Sequence, residues 1–412
     1  MRDNAVGDMA ATNANVVEYR TKADQFAKRM FDFLSIMFKY QADSHLNDKA
    51  AQVARAEGTL LPHVALEDDL GRYCGLMLFV KEIEPTRYAQ ICSAYFSTMR
   101  DLHSKEMRET TLAMRNMVRR PTEEDLEATF SSGSGSPILR SGTLKRVGTT
   151  VRSGDSGSKK DSGKIVAGEA FWRGIDQITE QVIREQRFIS DFLNVSSIDE
   201  TITFADYMGI EAYFRRNAMA WLSAHSAEHI TVRSAMDKIF SYLSDSTVEW
   251  IDTVIHRDGL QIVGVLAALD RGIRTAEDKS NEFLLRMFDR AYSMASAILN
   301  RALDEQVKAI EQTRITLKKR KGVVPFVRVF PFFVFRLEAQ LAPFEEADEL
   351  PVREVVNGAY DRVVSSMMDG LQQMAKMSGE AMGPSGEDKD QLNYHVILIG
   401  ESPLLCLVSA TD

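Results

Sequence analysis

Apolar residues along the chain recur at spacings of three and four, the period of a helix with one buried face. In the segment 273–321, Leu284, Phe288, Ala291, Ala295, Ile298 and Ala302 form such a stripe, and Leu303, Val307 and Ile310 extend it. Residues that interrupt helices are scarce: the stretches 210–258 and 273–321 contain neither Gly nor Pro, and 16–57, 86–120 and 175–208 are similarly clear. Oxygen-bearing residues stand three before an acid at Asn15 and Glu18, Thr122 and Asp125, and Thr275 and Asp278, a spacing suited to starting a helix. No alternating run bounded by Asn-Gly or Asp-Gly argues for strands, and Asp258-Gly259 joins two helix-like segments. The pattern predicts an all-α chain with helices near 16–57, 67–84, 87–119, 169–194, 203–257, 260–272, 276–320, 326–341, 352–377 and 388–398.

One segment departs from this pattern. In 131–163, 16 of 33 residues are Gly or Ser and only five are Ile, Leu or Val, too few to bury a core. It is expected to be a disordered insert, and it is basic through Arg140, Lys145, Arg146, Arg152, Lys159 and Lys160. Arg146 lies three residues before Thr149, which makes Thr149 a candidate for a basic-directed kinase. The expected organisation is a helical segment over 1–130, the linker over 131–166, a helical rod over 167–399 and an irregular tail over 400–412.

The chain has 412 residues, and Lys+Arg 50 against Asp+Glu 59 leaves a net charge of −9. That balance disfavours a nucleic-acid coat, which needs a basic excess, so no nucleic-acid partner is expected. Cys74, Cys92 and Cys406 are too scattered for a disulfide framework and fit a reducing compartment. Cys74 and Cys92 sit in apolar helical sequence and are expected to be structural. The N-terminus lacks the apolar core of a secretory signal, and the longest apolar stretch, 323–335, is broken by Arg328 and two prolines. It reads as core, and the chain as cytoplasmic.

Candidate chemistry is sparse. His225, Glu228 and His229 form an H-x-x-E-H match to a zinc-peptidase helix, but no third ligand motif follows, and a polar helix face accounts for them better. Ser156, in Gly-Asp-Ser-Gly, falls within the low-complexity insert rather than a β-barrel. There is no phosphate-cradling glycine loop. No catalytic residue, metal, cofactor or small-molecule substrate is expected. Arg314, Lys318, Lys319, Arg320 and Lys321 end a helix just before Gly322, where cations complement the carbonyl end of the helix dipole. They are also a candidate contact for anionic phospholipid or an acidic partner.

The segment EQVKAIEQTRITLKKRKGVVPFV, 305–327, resembles exocyst complex component 1, the Sec-three subunit family, in its C-terminal helical region and in fungal-type form. The segments 72–107, 170–193 and 388–399 are similar as well. The resemblance implies elongated, stacked helical bundles of the helical-rod tethering fold. It also implies a non-enzymatic role in attaching secretory vesicles to the plasma membrane, with other exocyst subunits as partners. The family's N-terminal lipid- and GTPase-binding domain and its coiled-coil segments are expected to have no counterpart in this sequence. The ending GESPLLCLVSATD does not continue the likeness, so a truncated or mispredicted product is the expectation.

Overall fold

A computed structural model describes residues 10–119, 121, 129–130, 164–194, 204, 208, 231–255, 258–313, 324–345 and 347–380. They are almost entirely helical. In chain order the helices are α1 (Ala10–Asn47), α2 (Lys49–Ala56), α3 (Val64–Gly71), α4 (Cys74–Ile83), α5 (Pro85–Met117), α6 (Ala167–Phe192), α7 (Val232–Ile239), α8 (Leu243–Ile255), α9 (Ile262–Asp278), α10 (Glu282–Glu311), α11 (Pro325–Leu341) and α12 (Pro351–Glu380). The one β pairing among the described residues is an isolated parallel bridge between Val118 and Ile165. An all-α fold is what the periodicity required.

Several expected helices are in fact two. The run 16–57 breaks at Asp48, whose carboxylate leaves the helical path to accept from the Ala51 N–H at 3.2 Å and cap α2. The run 67–84 starts earlier, at Val64, and divides at Arg72 and Tyr73. Within 231–255, α7 and α8 are separated at 240–242. The run 276–320 begins instead at Glu282: Ser280 takes a positive φ of 50°, and Asn281 accepts from the Leu284 N–H at 3.0 Å. Thr275 therefore lies inside α9, and Asn15 inside α1, neither starting a helix. At Asp48 and Asn281, short polar side chains that compete for backbone N–H groups separate the helices where no Gly or Pro is present. Thr122 and the helix expected over 388–398 lie outside the described residues, as does nearly all of the Gly/Ser-rich linker.

The chain divides into two compact units, each assembled from separated stretches. The first gathers 1–114, 174–247 and 275–287. Its core is aromatic: Phe38 meets Tyr95 edge-on at 5.2 Å, and Tyr95 and Phe188 each pack against Phe192, at 5.8 and 5.3 Å between centroids. Cys92 is buried here, and burial pushes its thiol up to about 12, an inert structural cysteine as expected. Cys74 is only half-buried.

The second unit gathers 115–173, 248–274 and 288–412. Ile262, Val263, Val265, Leu266, Ala267, Ala268 and Leu269 of α9 are all inaccessible, so the first half of this helix is apolar on every side and lies in the unit's interior, while Arg271 and Arg274 further along are exposed. Gly168 of α6 and Gly264 of α9 let two backbones touch: a Cβ built on Gly168 would lie 2.6 Å from the Gly264 Cα. Arg336 of α11 and Asp258 form a buried ion pair. Phe326, Phe330 and Phe333 of α11 belong to the core, whereas Phe332 and Phe335 are 58% and 75% exposed, so the apolar segment 323–335 is only partly core. In the part of α10 that lies in this unit the buried stripe is Phe288, Ala291, Ala295, Leu299, Leu303 and Ile310, with Ile298 and Ala302 at its edge.

Candidate functional site

The strongest concentration of chemistry is buried in the first unit, where three histidines and two glutamates converge. His103 and Glu106 stand three apart on α5, which places both on one helix face. His45 comes from the last turn of α1 and Arg55 from the last turn of α2, brought together because the chain turns at Asp48. Gly58, with φ 76°, then reverses the chain so that the loop ahead of α3 delivers His63. Gln177 of α6 fixes that loop: its Oε1 accepts from the Leu60 N–H at 2.6 Å, and its Nε2 donates to the Gly58 carbonyl at 3.2 Å. Glu185 projects from α6 two turns further along.

The carboxylates are held from several sides. Glu106 Oε2 lies 2.9 Å from His63 Nε2 and accepts from Gln181 Nε2 at 3.2 Å. Its Oε1 lies 3.0 Å from His45 Nε2, off hydrogen-bond alignment, and 3.5 Å from Arg55 Nη1. Arg55 also donates from Nε to Glu109 at 2.7 Å. Glu185 Oε1 accepts from the Tyr95 hydroxyl at 2.7 Å, and its Oε2 lies 3.2 Å from His103 Nε2.

Burial would by itself raise both carboxyl groups, but the hydrogen bonds outweigh it. The close approach of His45 and the hydrogen bond and charge of His63 hold Glu106 well below the usual carboxylate range, and the hydrogen bonds from His103 and Tyr95 lower Glu185. Burial lowers His63 more than its hydrogen bond to Glu106 raises it, which disfavours the charged imidazolium there. His103 Nδ1 is buried with no hydrogen-bond partner, 4.0 Å from Glu106 Oε2. A cleft of about 420 Å³ opens onto this cluster, lined by His63, His103, Glu185, Gln181, Arg184 and Lys279 among others. Arg184 spans it to Glu67 through two bonds of 2.6 Å.

None of these groups was singled out by the sequence. Three histidines scattered over 45–103 carry no motif, and the only local signal is the H-x-x-E spacing of His103 and Glu106. The residues that were singled out, His225, Glu228, His229, Ser156, Thr149 and the basic run Arg314, Lys318, Lys319, Arg320 and Lys321, lie outside the described residues, as does Cys406. Among the described residues no helix is long and apolar enough to cross a membrane.

Comparison with known proteins supplies the family. Residues 192–405 match the family described as exocyst complex component Sec3, C-terminal. That match runs past residue 399, where the likeness was expected to stop. Exocyst complex component 1 of Mus musculus is 22% identical over 392 aligned residues, covering 86% of this chain and 42% of the mouse protein. Exocyst complex component 1 of Drosophila melanogaster is 20% identical over 397 residues, covering 89% of this chain and 42% of the fly protein. The chain thus spans less than half the length of these curated relatives. No solved structure matches it. With more than half of its residues inside one family match and an all-helical fold to carry them, the chain belongs to the exocyst complex component Sec3 C-terminal family.

Proposed function

We propose that the chain acts as a non-enzymatic subunit of the exocyst, scaffolding protein–protein contacts that hold secretory vesicles at the plasma membrane before fusion in polarised exocytosis. The observation that carries this reading is the family match over residues 192–405. Supporting it, the stripes of α9, α10 and α12 are consumed by packing of one helix on another, leaving charge on the outward faces to select partners. The partners are the other exocyst subunits, and the place of action is the cytoplasmic side of the membrane at sites of exocytosis. Arg314, Lys318, Lys319, Arg320 and Lys321 add a weak contact to anionic phospholipid, each worth about 1 kcal/mol near such a surface and together too little for a sole anchor. Liposome co-sedimentation of Lys318→Glu against the unmodified chain tests that contact.

Depletion of the chain in its own cell tests the function. Secretory vesicles should accumulate undocked beneath the plasma membrane by electron microscopy, while restored expression disperses them. Unaltered vesicle number and cargo release after complete depletion would overturn the proposal.

A further inference from the structure

The buried cluster of the first unit has no role in a scaffold's outward contacts, and its composition exceeds what cohesion needs. His63, His103 and Glu185 each offer one donor atom, and the three lie within 4.8 Å of one another, all buried. We propose that these three side chains bind a divalent first-row transition-metal ion of the zinc class, with a further coordination position facing the cleft.

Five features support this. Two imidazole nitrogens and one carboxylate oxygen form the donor set that borderline cations such as Zn²⁺ prefer over Ca²⁺ or Mg²⁺, which take oxygen. Bonds of about 2.0–2.1 Å place tetrahedral ligand atoms about 3.4 Å apart, so the farthest pair need close by no more than about 1.5 Å. The supporting groups are in place: Tyr95 holds Glu185 Oε1, leaving Oε2 to coordinate. His103 Nδ1 has no hydrogen-bond partner and faces the Glu106 carboxylate at 4.0 Å. When Nε2 turns to a metal, the imidazole proton moves to Nδ1, where that carboxylate can receive it as a hydrogen bond. Two of the cations around the site are engaged, Arg55 with Glu106 and Glu109, and Arg184 with Glu67. The cleft gives the ion a path inward.

The test uses the full chain, tag-free and stripped with a chelator, titrated with Zn²⁺ by calorimetry and with Co²⁺ by visible absorption. One equivalent of Zn²⁺ should bind, and Co²⁺ should show the intense d–d band of a tetrahedral nitrogen and oxygen site. His103→Gln and Glu185→Gln should each weaken binding about tenfold or more, and so should Tyr95→Phe, which touches no metal. The double variant His225→Ala/His229→Ala should bind as the unmodified chain does. Should a cluster variant fail to fold, the cobalt spectrum of the unmodified chain decides, and absence of the tetrahedral band overturns the proposal. It is equally overturned by no Zn²⁺ uptake, by uptake indifferent to His103→Gln and Glu185→Gln, or by uptake lost in the His225/His229 variant.

Discussion

Replacing Gly168 or Gly264 with alanine adds one methyl group where two helix backbones already touch. On Gly168 the new Cβ would stand 2.6 Å from the Gly264 Cα, 2.8 Å from its carbonyl carbon and 2.9 Å from its oxygen, against an ordinary contact of 3.4–4 Å. All three obstacles are backbone, so no side-chain rotation relieves them. The start of α6 must move by about 1 Å from α9, opening contacts around a helix whose residues 262–269 are all buried. Overpacking of this kind costs about 1–3 kcal/mol, and the gain in helix propensity from Gly to Ala recovers at most about 1 kcal/mol mid-helix and less near an end. Gly168→Ala and Gly264→Ala should therefore lower stability by about 2 kcal/mol. Gly358, exposed in α12 with nothing within 4 Å of its built Cβ, is the matched control, and Gly358→Ala should raise stability by about 0.5–1 kcal/mol. Urea unfolding followed by circular dichroism at 222 nm, a standard helix wavelength, measures all three as changes in midpoint at constant slope (roughly 1–3 kcal/mol/M for small proteins). If Gly168→Ala and Gly264→Ala stabilise as Gly358→Ala does, the close approach of α6 and α9 is wrong.

Three other outcomes follow from the second unit. Arg336→Met alone should destabilise by about 3–5 kcal/mol by stranding the buried Asp258 carboxylate, while Arg336→Met with Asp258→Asn should recover part of that loss in the same urea assay. Recovery of none would mean that the two groups do not face each other. Burial pushes Asp270 up to about 6, against the pull of the Val352 N–H that its Oδ2 accepts at 2.7 Å. Because the folded state then holds its proton more tightly than the unfolded chain, this group's contribution is greatest below pH 3.8 and falls as pH rises through 6. Asp270→Asn keeps an acceptor for Val352, so it should be neutral at pH 4 and stabilising by about 1–3 kcal/mol at pH 7. Destabilisation at pH 7 would show that the ionised carboxylate's bond to the start of α12 outweighs its burial. On α11, Phe333→Ala should cost about 3–5 kcal/mol, whereas Phe332→Ser and Phe335→Ser should each stay within about 0.5 kcal/mol by thermal unfolding. A large loss from either serine variant would place that ring against other parts of the chain.

The helical class was legible because it rests on a local property, the three-and-four spacing that buries Leu284, Phe288, Ala291 and Ala295 on one side of α10. Helix ends were less legible. Asp48, Ser280 and Asn281 interrupt stretches free of Gly and Pro by offering side-chain or left-handed alternatives, a choice that depends on the residues each end packs against. Absence of Gly and Pro therefore does not fix helix length: α10, at 30 residues, spans about 45 Å. Least legible were features made by long-range contact. Gly168 and Gly264 look like isolated helix glycines until their helices meet. His45, His63, Glu106 and Glu185 come from four elements, and nothing in their sequence separation marks them as neighbours.

The reading of the chain as a tethering scaffold is tested most directly by affinity purification of the tagged full chain from its own cells, with quantitative mass spectrometry. Other exocyst subunits should be recovered in near-stoichiometric amounts and persist through a salt wash. Recovery of the chain with chaperones alone, or with no exocyst subunit above background, would contradict it.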